Sequence, residues 1–228
     1  MQKKESFLVQ LKNVSKVFGK GDLAFKALFN INLDIKKGDF LGVIGPSGSG
    51  KTTLLNMVGA LDKPTEGEVL IDNQSTSKMR ESQLYKIRRE KIGFIFQTFY
   101  LIPTLSVFHN VLLPVFPLRK DKAKYEKRAK GLLKKVGLFN KEHRKPSQLS
   151  GGEQQRVAIA RSLILNPSLI LADEPTGNLD TKTGIAIINL MKKLNSKEEK
   201  TFIVVTHDKK ISDFCDRIVK LEDGKIIS

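Results

Sequence analysis

Four short runs of apolar, mostly β-branched residues recur along the chain, at 40–44, 92–96, 169–172 and 202–206. None alternates with polar residues, so each predicts a strand buried on both faces. Helical stretches lie between them, at 52–61, 153–165 and 183–195. Such strands alternating with helices predict a mainly parallel sheet covered on both sides. A polar or glycine position closes each run: Gly45, Gln97, Asp173 and His207. Ligands in open parallel sheets sit beyond the carboxyl ends of the strands, so the four markers point to one site.

The first forty residues follow another rule. Segments 8–11, 27–29 and 30–33 alternate like an antiparallel edge sheet, with a turn over 36–39. Residues 69–71 read as a short strand before the turn Asp72-Asn73, and 217–227 read as a closing hairpin. The stretch from about 98 to 160 reads as mostly helical and interrupts the core strands. The prediction is therefore one α/β domain, residues 1–228. It has an N-terminal antiparallel β subdomain and an inserted helical subdomain at about 98–160. A chain of 228 residues is long enough to bury a substantial core.

The run 40–44 leads directly into Gly45, Pro46, Ser47, Gly48, Ser49, Gly50, Lys51 and Thr52, with Thr53 next. Glycines let the backbone curl so that successive N–H groups aim at phosphate oxygens. The helix that follows adds the positive end of its dipole. Lys51 can reach the β- and γ-phosphates, and the Thr52 hydroxyl can ligate Mg²⁺. A chance Gly/Ser turn is the competing reading, and eight matching positions between strand and helix oppose it. These residues describe a site for a nucleoside triphosphate.

The strand at 169–172 ends in Asp173 and Glu174. One carboxylate can hold Mg²⁺ while the next orients or deprotonates an attacking water. Many strands end in acids, so this pair gains its meaning from the phosphate loop. Gln97 can ligate Mg²⁺ and place water, and His207 can contact the γ-phosphate; either residue alone also reads as surface decoration. The segment Leu149, Ser150, Gly151, Gly152, Glu153, Gln154, Gln155 and Arg156 makes a second anion site at a helix start. One resolution of two cradles in one chain is that the second serves another subunit's nucleotide.

Taken together, the chain resembles the ATP-binding subunit of an ABC (ATP-binding cassette) transporter. The phosphate loop 45–52, Gln97, the signature 149–155, the acidic strand 169–174, the segment Gly177-Asn178-Leu179-Asp180 and His207 occur in that family's order. Segments 150–156 and 175–180 further resemble its lipoprotein-release, macrolide-export and antimicrobial-peptide branch. The resemblance implies a P-loop NTPase core that binds ATP with Mg²⁺ held at Thr52, Gln97 and Asp173. It implies Glu174 as base, His207 as sensor, Asp180 in the D-loop, and Leu149 to Gln154 against a partner subunit's ATP. It also implies a homodimer closed by ATP and a separately encoded membrane permease, with the apolar stretch 98–105 beside the docking region. Two positions depart from the commonest pattern. Glu153 stands where many members carry Gln, and Phe18 stands where a Tyr usually stacks on adenine; Phe18 also reads as a core residue.

Composition sharpens this picture in three ways. No stretch approaches the roughly 20 apolar residues of a membrane span, and residues 1–10 are too polar for a signal peptide. A single cysteine, Cys215, excludes an internal disulfide and suits a reducing compartment. The expected location is cytoplasmic, peripheral on the inner face of the cell membrane. Of the net charge of +16, a large share lies in 119–145, where twelve Lys/Arg face Asp121, Glu126 and Glu142. Such a run is a solvated helix face, a nucleic-acid contact or a contact with an anionic membrane surface. Its aromatics are only Tyr125 and Phe139, so no stacking platform for single strands is expected. The alternative function is a soluble ABC ATPase acting on DNA or ribosomes; sustained heptads and zinc-type cysteines are missing, and no nucleic acid is expected.

Overall fold

The computed structural model describes residues 7–118 and 121–227. Residues 1–6, Arg119, Lys120 and Ser228 fall outside it, and with them most of the N-terminal segment and the head of the basic run. Five of the six strands of the main sheet run parallel: β3 (Phe40–Ile44), β6 (Ile92–Phe96), β7 (Leu169–Asp173), β8 (Thr201–Thr206) and β9 (Arg217–Glu222). The sixth, β10 (Lys225–Ile226), closes an antiparallel hairpin on β9, as the terminal sequence predicts. Strand order is β10-β9-β3-β8-β7-β6, which leaves β6 at an edge.

The apolar runs form strands because both of their faces are covered. Leu169, Leu171, Ile203 and Val205 enter one hydrophobic cluster, while Ile170, Ala172, Phe202 and Val204 enter the other. Phe40 and Phe202 stack at 5.3 Å between ring centres in the second of these. The first cluster also holds α1 (Lys51–Val58) and the N-terminal sheet, whose order is β2-β1-β4-β5. That sheet pairs β1 (Phe7–Phe18) with β2 (Phe25–Lys36) and β4 (Glu66–Ile71), all antiparallel; β5 (Gln74–Ser75) completes it. Each of β1 and β2 runs twelve residues, well beyond the alternating segments that announce them. Register shifts along β1 break the alternation and hide its full length.

Two helices go unpredicted, the four-residue α7 (Lys209–Ser212) and α2 (Glu81–Lys91); α2 buries only Leu84 and Ile87, too thin a stripe to read among charged neighbours. The helical region contains α3 (Val107–Leu112), α4 (Lys122–Lys135) and α5 (Gly151–Leu163), with 3₁₀ turns at Leu113–Leu118 and Pro146–Gln148. Beyond it, α6 (Thr181–Glu198) and the short α7 (Lys209–Ser212) complete the fold. Among the described residues no helix is long and apolar enough to cross a membrane. Cys215 lies half-buried with its sulfur against Gly42, where a Cβ would come within 2.8 Å, and burial pushes its thiol up to about 11.

Asn110 holds the turn that precedes α3. It is fully buried; its Oδ1 accepts from Ile102 N at 2.7 Å, and its Nδ2 donates to the carbonyls of Ile102, Leu105 and Ser106. Leucine has the same branching and satisfies none of these groups. Asn110→Leu is expected to lower stability by about 2 kcal/mol in urea unfolding; a change below about 0.5 kcal/mol would show that water replaces the amide.

Candidate functional site

The carboxyl ends of the parallel strands meet in one row. Phe96 pairs with Asp173, Asp173 with Val205, and Ile44 with Thr206. The residues that follow, Gly45, Gln97, Glu174 and His207, therefore leave the sheet side by side. A cleft of about 700 Å³ opens there, lined by Ser47, Gly48, Gly50, Lys51, Thr52, Thr53, Asp173, Glu174 and His207 among others.

Local backbone builds the phosphate cradle. Gly50 caps α1 with φ of 98°, a left-handed conformation that glycine adopts without strain. The first N–H groups of α1 lack helical partners, and they belong to Lys51, Thr52 and Thr53, which line the cleft. Gly45 lies so close to Leu221 O that a Cβ would meet it at 2.0 Å, which fixes the loop against β9. Lys51 Nζ donates to Gly45 O at 2.9 Å and Pro46 O at 2.7 Å, curling its stem over the loop. Ser49 is buried and its Oγ has no partner among the described residues.

The two strand-end carboxylates have different surroundings. Burial pushes the Asp173 carboxyl up, and the neighbouring Glu174 charge adds to the shift; the Thr52 hydrogen bond and Lys51 oppose it. Thr52 Oγ1 donates to Asp173 Oδ2 at 3.4 Å. Glu174 has φ of 46°, which costs an L-residue about 1 kcal/mol or more. Its carboxylate contacts His207 Nδ1 at 2.7 Å and accepts from Thr206 Oγ1 at 3.3 Å. A carboxylate held this way at the mouth of a phosphate cleft can take a proton from water, and the imidazole can follow its position.

Thr52 and Asp173 are the residues here that could hold a cation. It would offset both causes that raise the Asp173 carboxyl, its burial first and the neighbouring Glu174 charge second. Among the described residues no group of three or more His, Cys, Asp or Glu could hold a metal unaided. The donor set, a hydroxyl and a carboxylate, suits Mg²⁺ completed by phosphate oxygens and water. Gln97 is turned elsewhere: its Nε2 donates to Asn178 Oδ1 at 3.2 Å, while Asn178 Nδ2 returns a bond to Gln97 O.

None of Leu149 to Gln154 lines the cleft. They start α5 instead, with Ser150 as its cap. Ser150 Oγ accepts from Glu153 N at 3.4 Å and Glu153 Oε2 accepts from Ser150 N at 3.0 Å, a reciprocal capping box. Lys141 pairs with the Glu153 carboxylate and, together with the Ser150 N–H, holds it below the usual range. The acid at 153 thus has a local structural cause. Asp180 caps α6, its Oδ1 accepting from Thr183 N at 3.0 Å. Phe18, at the end of β1, is 43% exposed under the Lys16 ammonium and is not part of the cleft lining. Its hairpin partner Phe25, 62% exposed, does line it. Sequence reading missed Phe25, which lies just before the alternating segment 27–29 and carries no signal of its own.

Fold, cleft and strand-end chemistry define a nucleotide-binding cassette, and the chain belongs to the ABC transporter family, whose pattern matches residues 28–177. It is an ATP-binding subunit of that family and an ATPase. It is 52% identical over 223 residues to the ABC transporter ATP-binding protein MJ0796 of Methanocaldococcus jannaschii, covering 96% of this chain and 95% of that protein. The structure of MJ0796 as a dimer bound to ADP and Pi superposes with a TM-score of 0.87 at 51% identity, over 96% of this chain and 97% of that one. The macrolide export protein MacB of Escherichia coli is 44% identical over 97% of this chain and 34% of its own length. The lipoprotein-releasing protein LolD 1 of Rhodopseudomonas palustris is 46% identical over 88% of this chain and 89% of its own.

Asp173 carries a charge that its burial disfavours. The penalty is absent below the ordinary carboxylate pKa, where Asp173 is protonated folded and unfolded alike, and complete above the raised one. Asp173→Asn is therefore expected to raise the melting temperature of the nucleotide-free chain at neutral pH, by about 2–4 °C per kcal/mol recovered. The gain should vanish near pH 3 while ATP hydrolysis is lost. A lower melting temperature at pH 7 would mean that the Thr52 contact outweighs desolvation.

Proposed function

We propose that this chain powers a separately encoded membrane permease as a head-to-tail homodimer that closes on two ATP molecules and reopens on hydrolysis. Release of a lipoprotein or export of a peptide- or drug-like molecule is the transport step, in line with LolD and MacB. The observation that carries the reading is the division of the anion sites. The cleft takes in Ser47, Gly48, Gly50, Lys51 and Thr52 of the phosphate loop, yet Ser150 and its glycines lie outside it, at the start of a capped helix. A second copy is the natural donor of that helix start to the cleft.

In this reading Ser47 to Thr53 bind the triphosphate and Phe18 and Phe25 flank the base. Thr52, Asp173 and, once released from Asn178, Gln97 hold Mg²⁺, which supplies neutralisation of the phosphate charge when bound. Glu174 takes the proton of the attacking water, and His207 keeps that carboxylate aimed. Asp180 lies in the D-loop that follows Glu174. Loss of the γ-phosphate removes contacts made to both subunits, so ADP favours the open state. The relatives give no support to the alternative of an ABC ATPase acting on DNA or ribosomes.

This chain carries a surface suited to a permease. A groove of about 550 Å³ lies between the sheet edge and the helical region, lined by Phe94, Phe96, Tyr100, Pro114, Pro117 and Leu165 among others. Tyr100, three residues after Gln97, is 63% exposed. In this reading the chain sits peripherally on the inner face of the cell membrane, attached to the permease through that groove. On α4, Lys124, Lys127, Lys130 and Lys134 share the exposed side opposite the buried Ala129, Leu132 and Leu133. No acid of the described residues pairs with these four. That lysine face suits an anionic membrane surface beside the permease.

With Mg-ATP, Glu174→Gln is expected to elute as a dimer in size-exclusion chromatography and to hydrolyse ATP about 10²–10⁴-fold more slowly. Ser150→Arg should bind ATP and stay monomeric. A membrane chain that co-purifies with tagged Glu174→Gln should be lost when Tyr100→Asp is added. A monomeric Glu174→Gln, or a dimeric Ser150→Arg, would remove the head-to-tail arrangement. For the lysine face, changing Lys124, Lys127, Lys130 and Lys134 to Gln should weaken binding to phosphatidylserine-containing vesicles at low salt; unchanged flotation would leave the face as solvated charge.

A further inference from the structure

Helix α5 reaches past its own surface to the backbone from which the site residues spring. Gln155 is fully buried, and its Nε2 donates to Phe96 O at 3.3 Å and to Pro175 O. Phe96 immediately precedes Gln97, and Pro175 immediately follows Glu174. Both neighbours are carbonyls, so only the NH₂ end of the amide can satisfy them, which fixes the side chain's orientation. Because β6 is an edge strand, it has a sheet neighbour on one side only, and Gln155 anchors the end of that strand to the turn after β7. Six residues further along α5, the half-buried Arg161 donates to Phe99 O and Tyr100 O, holding the other side of Gln97. Gln97 is thereby bracketed by two side chains of one helix, and Glu174 is tied to the same helix through Pro175.

We propose that Gln155 is a positioning residue for ATP hydrolysis: by clamping Phe96 O and Pro175 O it sets the separation of Gln97 and Glu174 and locks both to the signature helix. The proposal rests on the reading of Glu174 as the base. Gln155 touches neither nucleotide nor water in this scheme and acts through the backbone alone. A displacement on the order of 1 Å at a reacting group can cost about 10²-fold in rate, so a clamp at the residue next to the base is a sensitive place to act. The clamp also accounts for an amide in the core, where an apolar side chain of equal volume would leave two carbonyls unpaired. Its Oε1 has no partner among the described residues, so the amide is retained for its donors.

Gln155→Met keeps the length of the side chain and removes the donors. It is expected to lower kcat about tenfold while KM for ATP stays within about twofold. Gln155→Glu should lose more, because its carboxylate would face two carbonyls. The double variant Gln155→Met/Glu174→Gln should still form the ATP-held dimer shown by its Glu174→Gln parent. An unchanged kcat in Gln155→Met overturns the proposal. So does a joint loss of kcat, ATP affinity and the melting transition, which would mark a packing role. If Glu174→Gln alone hydrolyses ATP at the parental rate, the base assignment fails; the split between kcat and KM in Gln155→Met then still decides whether the clamp positions the site.

Discussion

Burial of β3, β6, β7 and β8 between two apolar layers decides where chemistry can occur in this protein. An unpaired polar group inside such a sheet costs about 2–7 kcal/mol, so polar side chains wait until each strand emerges. Because the strands are parallel and in register, they emerge together, and Gly45, Glu174 and His207 become neighbours although they lie far apart in sequence. The same constraint produces the site's tensions. Asp173 emerges before its carboxylate is fully solvated, and Glu174 turns out of the sheet through a left-handed conformation. Rigidity beneath and strain at the rim have one origin.

What the sequence makes legible follows from how far each signal reaches. The apolar runs at 40–44 and 92–96 coincide with β3 and β6 because a doubly buried strand needs no partner to be recognised. The phosphate loop is equally local: strand, glycines, lysine and helix are contiguous. Ser150 as a cap was also readable, since its partner Glu153 is three residues away. Legibility fails where a role depends on contacts between distant segments. Gln155 reads only as the end of the signature segment 149–155 until the fold brings Phe96 and Pro175 to it. Phe25 lies just before the alternating segment 27–29 and carries no signal of its own until β2 is seen to border the cleft. Helix α2 escapes for a different reason, since most of its surface faces water and Leu84 and Ile87 alone mark its inner side.

The signature helix connects these levels. Its first turn is stabilised by a reciprocal cap that leaves the Ser150 hydroxyl hydrogen unused, so the residue that organises the helix can also offer a donor outward. Its middle, through Gln155 and Arg161, holds the backbone around Gln97 and beside Glu174. Arg161 and Tyr100 also border the apolar groove, so one helix spans the distance from the capped start at Ser150 to the groove proposed for docking. Rigid elements of this kind transmit a shift at one end to the other without needing a chain of moving side chains.

The single cysteine gives the molecule a practical property. Cys215 is half-buried against the backbone of Gly42, and with its thiol pushed to about 11 almost none of it is thiolate at neutral pH. Alkylating reagents attack the thiolate, so the native protein is close to silent toward them without any cysteine being removed. A fluorophore or spin label attached at one introduced cysteine would then report from that position alone, and its distance to a twin label in a second subunit would follow opening and closing in real time.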